Sequence, residues 1–380
     1  MGAEAVGRRL LGEVEDAGLD EVLRSVRASA HPELNSSRFG IRPLDRLLHL
    51  FQQHAVQPLQ QSTAQPPKNR TPQKCPIIEL TSLGPGQGKT HLLYLITALA
   101  VLPRHYDGIP LHGKASAVII LDTDNRFSVP RLARVAHHHI TRCCGHHGAQ
   151  PAAIATDALL AATLAHVHLL RPQSHAALLA ALRALPAFLA SRANPSSRRP
   201  LHSVLLDSAS AFFWPLRAAA DARRTASIGA QHPAASASAA DAYAALAHEL
   251  GALSARLDVA VVVTTVGASQ RGGEVKPLLP AAFTNVATLR LVVAREAVRP
   301  FALRMIVGEA RVERSQRQGV VEKGVFGVRV DGWGRGGWGR AVEEALEGGM
   351  GRWGLVVRGE GVWVLEDEEG EGDGGGGGGG

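Results

Sequence analysis

The segment Ile77-Ile78-Glu79-Leu80-Thr81-Ser82-Leu83-Gly84-Pro85-Gly86-Gln87-Gly88-Lys89-Thr90 commits the chain to a strand, a tight turn and a helix in quick succession. An apolar run enters a glycine-rich turn, and an apolar helical pattern (Leu92, Leu93, Leu95, Ile96, Leu99) leaves it. Glycines let the backbone curl so that its N–H groups converge on one point, and the helix after the turn adds its positive end. A turn of this kind closing on Gly-Lys-Thr is laid out to hold phosphate. Gly84, Gly86, Gln87 and Gly88 would form the cradle, Lys89 would reach the β- and γ-phosphates of ATP, and Thr90 would bind Mg²⁺. The usual pattern has a glycine six residues before the lysine, and here that position is Leu83. The loop is therefore one residue short, starting at Gly84, or has lost its first glycine. Pro85 also removes one N–H donor. A bare glycine-rich turn is the weaker reading, because strand, Gly-Lys-Thr and apolar helix come in the right order.

Downstream, the pattern alternates. It predicts strands at 76–82, 117–123, 163–170, 202–207 and 259–265, with helices at 88–102, 128–140, 174–190 and 237–256. Ser174 is the N-cap of the third helix and Pro186 is a candidate kink in it. Strands separated by helices imply right-handed crossovers and an α/β fold with a mostly parallel sheet. The runs Val118-Ile119-Ile120-Leu121, Val204-Leu205-Leu206 and Val259-Ala260-Val261-Val262-Val263 are continuously apolar, as strands covered on both faces must be. Two of these strands end in acids. Asp207 would sit at the carboxyl edge of the sheet beside the phosphate loop, where it can hold Mg²⁺ directly or through water. In Leu121-Asp122-Thr123-Asp124, one carboxylate could orient an attacking water, and Asp124 is the catalytic candidate.

Composition narrows the partners. Net charge is +7, although the last fifteen residues are acidic and glycine-rich, so the body is more basic than the total. That balance favours polyanions, chiefly nucleic acid, though an arginine and alanine bias of genomic origin accounts for part of it. A mean hydropathy of zero fits a soluble globular chain. Three cysteines, Cys75, Cys143 and Cys144, argue against a disulfide framework and for a reducing compartment. No signal peptide and no apolar run of spanning length is visible, so no membrane association is expected. His137, His138, His139, Cys143, Cys144, His146 and His147 invite a zinc reading, but their spacing fits no familiar ligand pattern.

Phosphate loop, then Asp-Thr-acid, then apolar strand with Asp-Ser, in that order, resembles the RecA-type recombinases. Further context narrows it: His91-Leu92-Leu93-Tyr94-Leu95-Ile96-Thr97-Ala98, Asp122-Thr123-Asp124-Asn125-Arg126-Phe127 and Leu206-Asp207-Ser208-Ala209-Ser210-Ala211-Phe212-Phe213-Trp214. These are similar to eukaryotic DNA-repair recombinase paralogues of the X-ray repair cross-complementing type. The resemblance is good over about 76–270 and weak over 6–50 and 288–335. It implies a RecA-like ATP-binding core, nuclear, acting in homologous recombination. The partners implied are other recombinase paralogues in a hetero-oligomer, and single-stranded or branched DNA. Family members that hydrolyse ATP carry glutamate where Asp124 stands and glutamine where Val266 stands. A carboxylate withdrawn by about 1 Å can cost on the order of 10²-fold in rate, and Val266 cannot hydrogen-bond a γ-phosphate. The resemblance thus implies nucleotide binding with poor hydrolysis; an active DNA-dependent ATPase is the alternative, and a small-molecule P-loop kinase a more distant one. Loops after the strand at 259–265 contact DNA in the family, which points to Arg271 and Lys276.

The organisation expected is an N-terminal helical docking element at 1–51, with a helical hairpin at 6–30 and an apolar approach at 38–51. A Gln/Pro-rich linker at 52–75 leads to the ATP-binding core at 76–335. Within that core, residues 267–287 read as a loop and 288–296, 301–308 and 324–330 as antiparallel strands. A Gly/Trp-rich, then acidic and disordered tail occupies 336–380, with a short helix at 340–347 and a hairpin at 354–366. Trp338 and its neighbouring arginines could stack on bases.

Overall fold

The computed structural model describes residues 38–54, 75–148, 153–226, 238–269, 274–332 and 338–365. The chain divides into two units between Arg38 and Phe39, and the second unit carries every described helix and strand. The hairpin expected at 6–30 and most of the linker lie outside the described residues. The apolar approach is a helix, α1 (Arg42–His54), which buries Leu44, Leu47 and Leu48. Ahead of it Phe39 and Ile41 enter the same core, and the Phe39 N–H donates to the Asp45 carboxylate at 2.8 Å.

From there strand and helix alternate: β1 (Ile77–Ser82), α2 (Lys89–Val101), a small hairpin of β2 (His105–Tyr106) and β3 (Ile109–Pro110), β4 (Ala117–Asp122), α3 (Val129–His146), α4 (Ala153–Leu164) and β5 (Val167–Leu170). Next come α5 (His175–Ala190), β6 (Leu201–Asp207), α6 (Phe213–Ala226), α7 (Ala239–Leu257), β7 (Ala260–Ser269), β8 (Val275–Pro277) and α8 (Ala281–Thr284). The chain continues through β9 (Leu289–Arg295), α9 (Val307–Lys323), β10 (Val325–Val330), α10 (Arg340–Glu347), β11 (Arg352–Val357) and β12 (Val362–Leu365).

The main sheet runs β12-β11-β10-β9-β1-β7-β6-β4-β5, with β8 attached to β7. From β9 to β5 every pairing is parallel, while β10, β11 and β12 add an antiparallel meander. This is the mixed, mostly parallel α/β sheet that the pattern implies. Alternate residues of the central strands enter two cores. Ile78, Leu80, Val118, Ile120 and Val262 meet helices α1, α2 and α3 on one face. Ile77, Ile119, Leu121, Val204 and Val261 meet α5 and α7 on the other.

Several expectations are corrected. Residues 289–295 are not purely antiparallel: β9 pairs parallel to β1 and antiparallel to β10. Residues 301–308 are not a strand. Their apolar side chains face solvent, with Phe301 49%, Leu303 106% and Ile306 66% exposed, because β1 and β10 already occupy both edges of β9. The stretch 267–287 is more ordered than a loop, since β7 runs on to Ser269 and pairs with β8 before α8. The sheet also continues past 335 through β11 and β12.

Directly beneath the phosphate loop lies a buried ion pair. Arg290 of β9 meets Glu79 of β1 at 2.8 Å, with side chains 3% and 1% exposed, and Thr265 of β7 donates to the other Glu79 oxygen at 2.7 Å. Removing one member of a buried pair strands the other charge, which costs about 3–5 kcal/mol. Arg290→Met is therefore expected to lower stability by roughly that amount. The double change Glu79→Leu/Arg290→Met, which leaves no orphan charge, is expected to recover most of it in urea denaturation. His91, on α2, gives a second test. Burial, reinforced by the nearby Arg131 cation, depresses its pKa to about 4, and its Nδ1 has no partner. Between its usual pKa of about 6.5 and this folded value of about 4, the unfolded chain takes up a proton that the folded chain refuses. Stability therefore falls as pH drops through that window. The loss is expected to be a few kcal/mol, and denaturation midpoints of His91→Leu should show a shallower fall.

Candidate nucleotide site

The carboxyl ends of β1, β7 and β6 build the site. Strand β7 lies between the other two, so the phosphate loop and Asp207 stand two strands apart, about 10 Å at the usual spacing. Thr90, in the first turn of α2, closes that gap: its hydroxyl donates to Asp207 Oδ2 at 2.8 Å. Thr264, from the intervening strand, donates to Asp207 Oδ1. One buried carboxylate, 4% exposed, thus holds the helix after the loop and the strand between. The Asp207–Ser208 peptide is cis.

Lys89 turns back over its own loop. Its ammonium donates to Ser82 Oγ and to the Gly84 carbonyl at 3.4 Å, and Ser82 Oγ also donates to that carbonyl at 2.7 Å. Burial lowers the Lys89 pKa, while the Asp207 and Asp124 carboxylates pull it back up. Gly86 and Gly88 have φ of +73° and +96°, conformations that L side chains rarely adopt. A Cβ on Gly88 would also stand 2.7 Å from the Phe326 ring of β10. Gly88 is the N-cap of α2 and offers no side-chain cap, so the first-turn N–H groups are left for an external acceptor. The Gln87 side chain is committed elsewhere, since its Oε1 accepts the Arg295 N–H at 2.8 Å; its contribution to the cradle would come from its backbone.

These features fit a nucleotide with Mg²⁺. The helix start is uncapped, an ammonium rests on a carbonyl that a phosphate oxygen could replace, and a hydroxyl and a carboxylate converge where an ion would sit. Thr90 and Asp207 are the residues that could hold the ion; Lys89 and the Gly84–Gly88 backbone could hold the phosphates.

The second acidic loop separates its two carboxylates by role. Asp122 is fully buried. It accepts the N–H groups of Arg126 at 3.0 Å and Phe127 at 3.2 Å and pairs with Arg171 at 3.2 Å. It is thereby spent on shaping the loop. Tyr94 of α2 pins the same loop by accepting the Ser128 N–H at 2.8 Å, with its ring 4.6 Å from Phe127. Thr123 ties the loop to β6, donating to the Ser208 carbonyl at 2.6 Å and accepting its N–H at 2.7 Å. Asp124 is exposed at the tip. Desolvation, with the Asp207 carboxylate next, raises its pKa. Val266 pairs in register with Ser82 at the loop entrance, and its N–H donates to Ser210 Oγ at 3.1 Å. Its side chain is the apolar group at the position where the family resemblance expects glutamine.

Lys276 is exposed on β8, while Arg271 lies outside the described residues. His139 Nε2 is 2.9 Å from the Leu111 carbonyl, and among the described residues no group of three or more His, Cys, Asp or Glu is placed to hold a metal. No described helix is long and apolar enough to cross a membrane. Sequence reasoning missed Ser82, Thr264 and Arg171. The first two had a visible signal, a hydroxyl residue at the end of an apolar strand. Arg171 had none, because its partner Asp122 lies far away in sequence.

No protein-family model matches the chain. Over 129 residues it is 32% identical to the DNA repair protein XRCC2 of Mus musculus, a match that covers 34% of this chain and 38% of the mouse protein. The chain therefore spans well under half the length of this curated relative, and the likeness to a DNA repair protein is confined to that shared stretch.

Proposed function

We propose that the chain is a nucleotide-binding recombinase paralogue that serves DNA repair by homologous recombination. In this reading it is a nuclear mediator or adaptor within a hetero-oligomer of paralogues and supports recombinase assembly on single-stranded DNA at breaks and stalled forks. The observation that carries the nucleotide half is the Thr90–Asp207 contact at 2.8 Å, which joins a phosphate loop to a strand-end acid across an intervening strand. Similarity to a DNA repair protein supports the pathway. When bound, ATP and Mg²⁺ would supply a charged ligand that orders the loop. Lys89 would neutralise phosphate, and Thr90 and Asp207 would position the ion.

Hydrolysis is expected to be slow. Asp124 has a shorter side chain than glutamate, and the apolar Val266 offers no hydrogen bond beside the phosphates. Asp124→Glu combined with Val266→Gln is expected to raise turnover by at least about tenfold, in line with the cost of a roughly 1 Å misplacement. Phosphate release with and without single-stranded DNA reads this out, and robust turnover in the unaltered chain would favour the DNA-dependent ATPase instead. Lys89→Ala is expected to abolish nucleotide binding in calorimetry while the chain still co-purifies with recombinase paralogues. Complete loss of complex formation would contradict the adaptor reading.

A further inference from the structure

The antiparallel half of the sheet carries two cross-strand rows that the nucleotide site does not use. Ala294, Gly327, Gly354 and Leu365 fall opposite one another on β9, β10, β11 and β12. The next row on the same face is Val292, Arg329 and Arg352. Two glycines leave the first row without side chains in its middle, and a cavity of about 400 Å³ opens there, lined by Val292, Ala294, Gly327, Arg329 and Arg352 among others. The second row places two guanidinium groups directly opposite each other, an arrangement that is destabilising on its own. Asp331, with Oδ1 4.0 Å from Arg329, offsets one of them. Arg352 is exposed and makes no ion pair among the described residues.

The row points at a specific part of the chain. Strand β12 is the outer strand of the sheet, and Leu365 pairs with Gly354. Carried on by two residues, the same antiparallel register brings position 367 opposite Arg352 and onto the same face as Leu365. The sequence there is Glu366-Asp367-Glu368-Glu369-Gly370-Glu371. We propose that this acidic segment docks on the chain itself: it prolongs β12, lays Asp367 against Arg352 and closes the groove. Charge complementarity and tethering favour it over a separate molecule. It begins one residue beyond the groove wall, at an effective concentration on the order of millimolar or more. A nucleic-acid backbone would reach Arg352 only by displacing it.

Hydrogen exchange across 362–371 in the full chain tests this, with the β11 amides as the check that each variant is folded. Amides of 366–369 are expected to exchange at least about tenfold more slowly than in a free peptide of the same sequence, as opening equilibria of paired amides allow. Arg352→Glu is expected to return them to free-peptide rates, and Arg352→Glu/Asp367→Arg to restore the protection. Free-peptide rates in the unaltered chain, or protection that Arg352→Glu leaves intact, would overturn the proposal. So would an oligothymidylate that shields β11 while 366–369 exchange freely, since the groove would then belong to nucleic acid.

Discussion

One carboxylate organises the site. Asp207 accepts two hydroxyl groups, from Thr90 at the start of α2 and from Thr264 on β7. Through them it fixes the helix behind the phosphate loop, the strand between and its own strand relative to one another. Hydrogen bonds to a charged acceptor are among the stronger ones a protein makes, and a buried carboxylate depends on them to offset its desolvation. The geometry a bound ion would need is already present. Little rearrangement is required beyond Lys89 leaving the Gly84 carbonyl.

A second buried charge supports the first from below. Glu79 and Arg290 interrupt the apolar runs of neighbouring strands, and Thr265 is hydrogen-bonded to the same carboxylate. Thr264 and Thr265, adjacent on β7, thus face opposite sides of the sheet edge, one serving Asp207 and the other Glu79. The loop rests on polar groups that are hydrogen-bonded to one another, so its position is set by directional bonds as well as by apolar packing.

Much of this was legible in the chain. Continuous apolar runs marked the buried parallel strands because both of their faces are covered, and Gly-Lys-Thr with Asp207 marked the two walls of the site. What was not legible depends on neighbours distant in sequence. Phe301, Leu303 and Ile306 read locally as a strand, yet both edges of β9 are taken and those side chains are left in solvent. Helix α9 has no buried residue among those described, so it shows no apolar period to detect. Between Asp122 and Asp124 the sequence offered no choice; the structure separates them by burying one under backbone N–H groups and leaving the other at the loop tip.

The central claim is that Thr90 and Asp207 form an ion site that works together with the phosphate loop. Electron paramagnetic resonance of Mn²⁺ titrated into the purified chain, with and without a non-hydrolysable ATP analogue, addresses it directly. The account predicts tight Mn²⁺ binding only when the analogue is present, and its loss in Asp207→Asn with the fold retained. Analogue binding with no dependence on the metal or on Asp207, or no binding of the analogue at all, would contradict it.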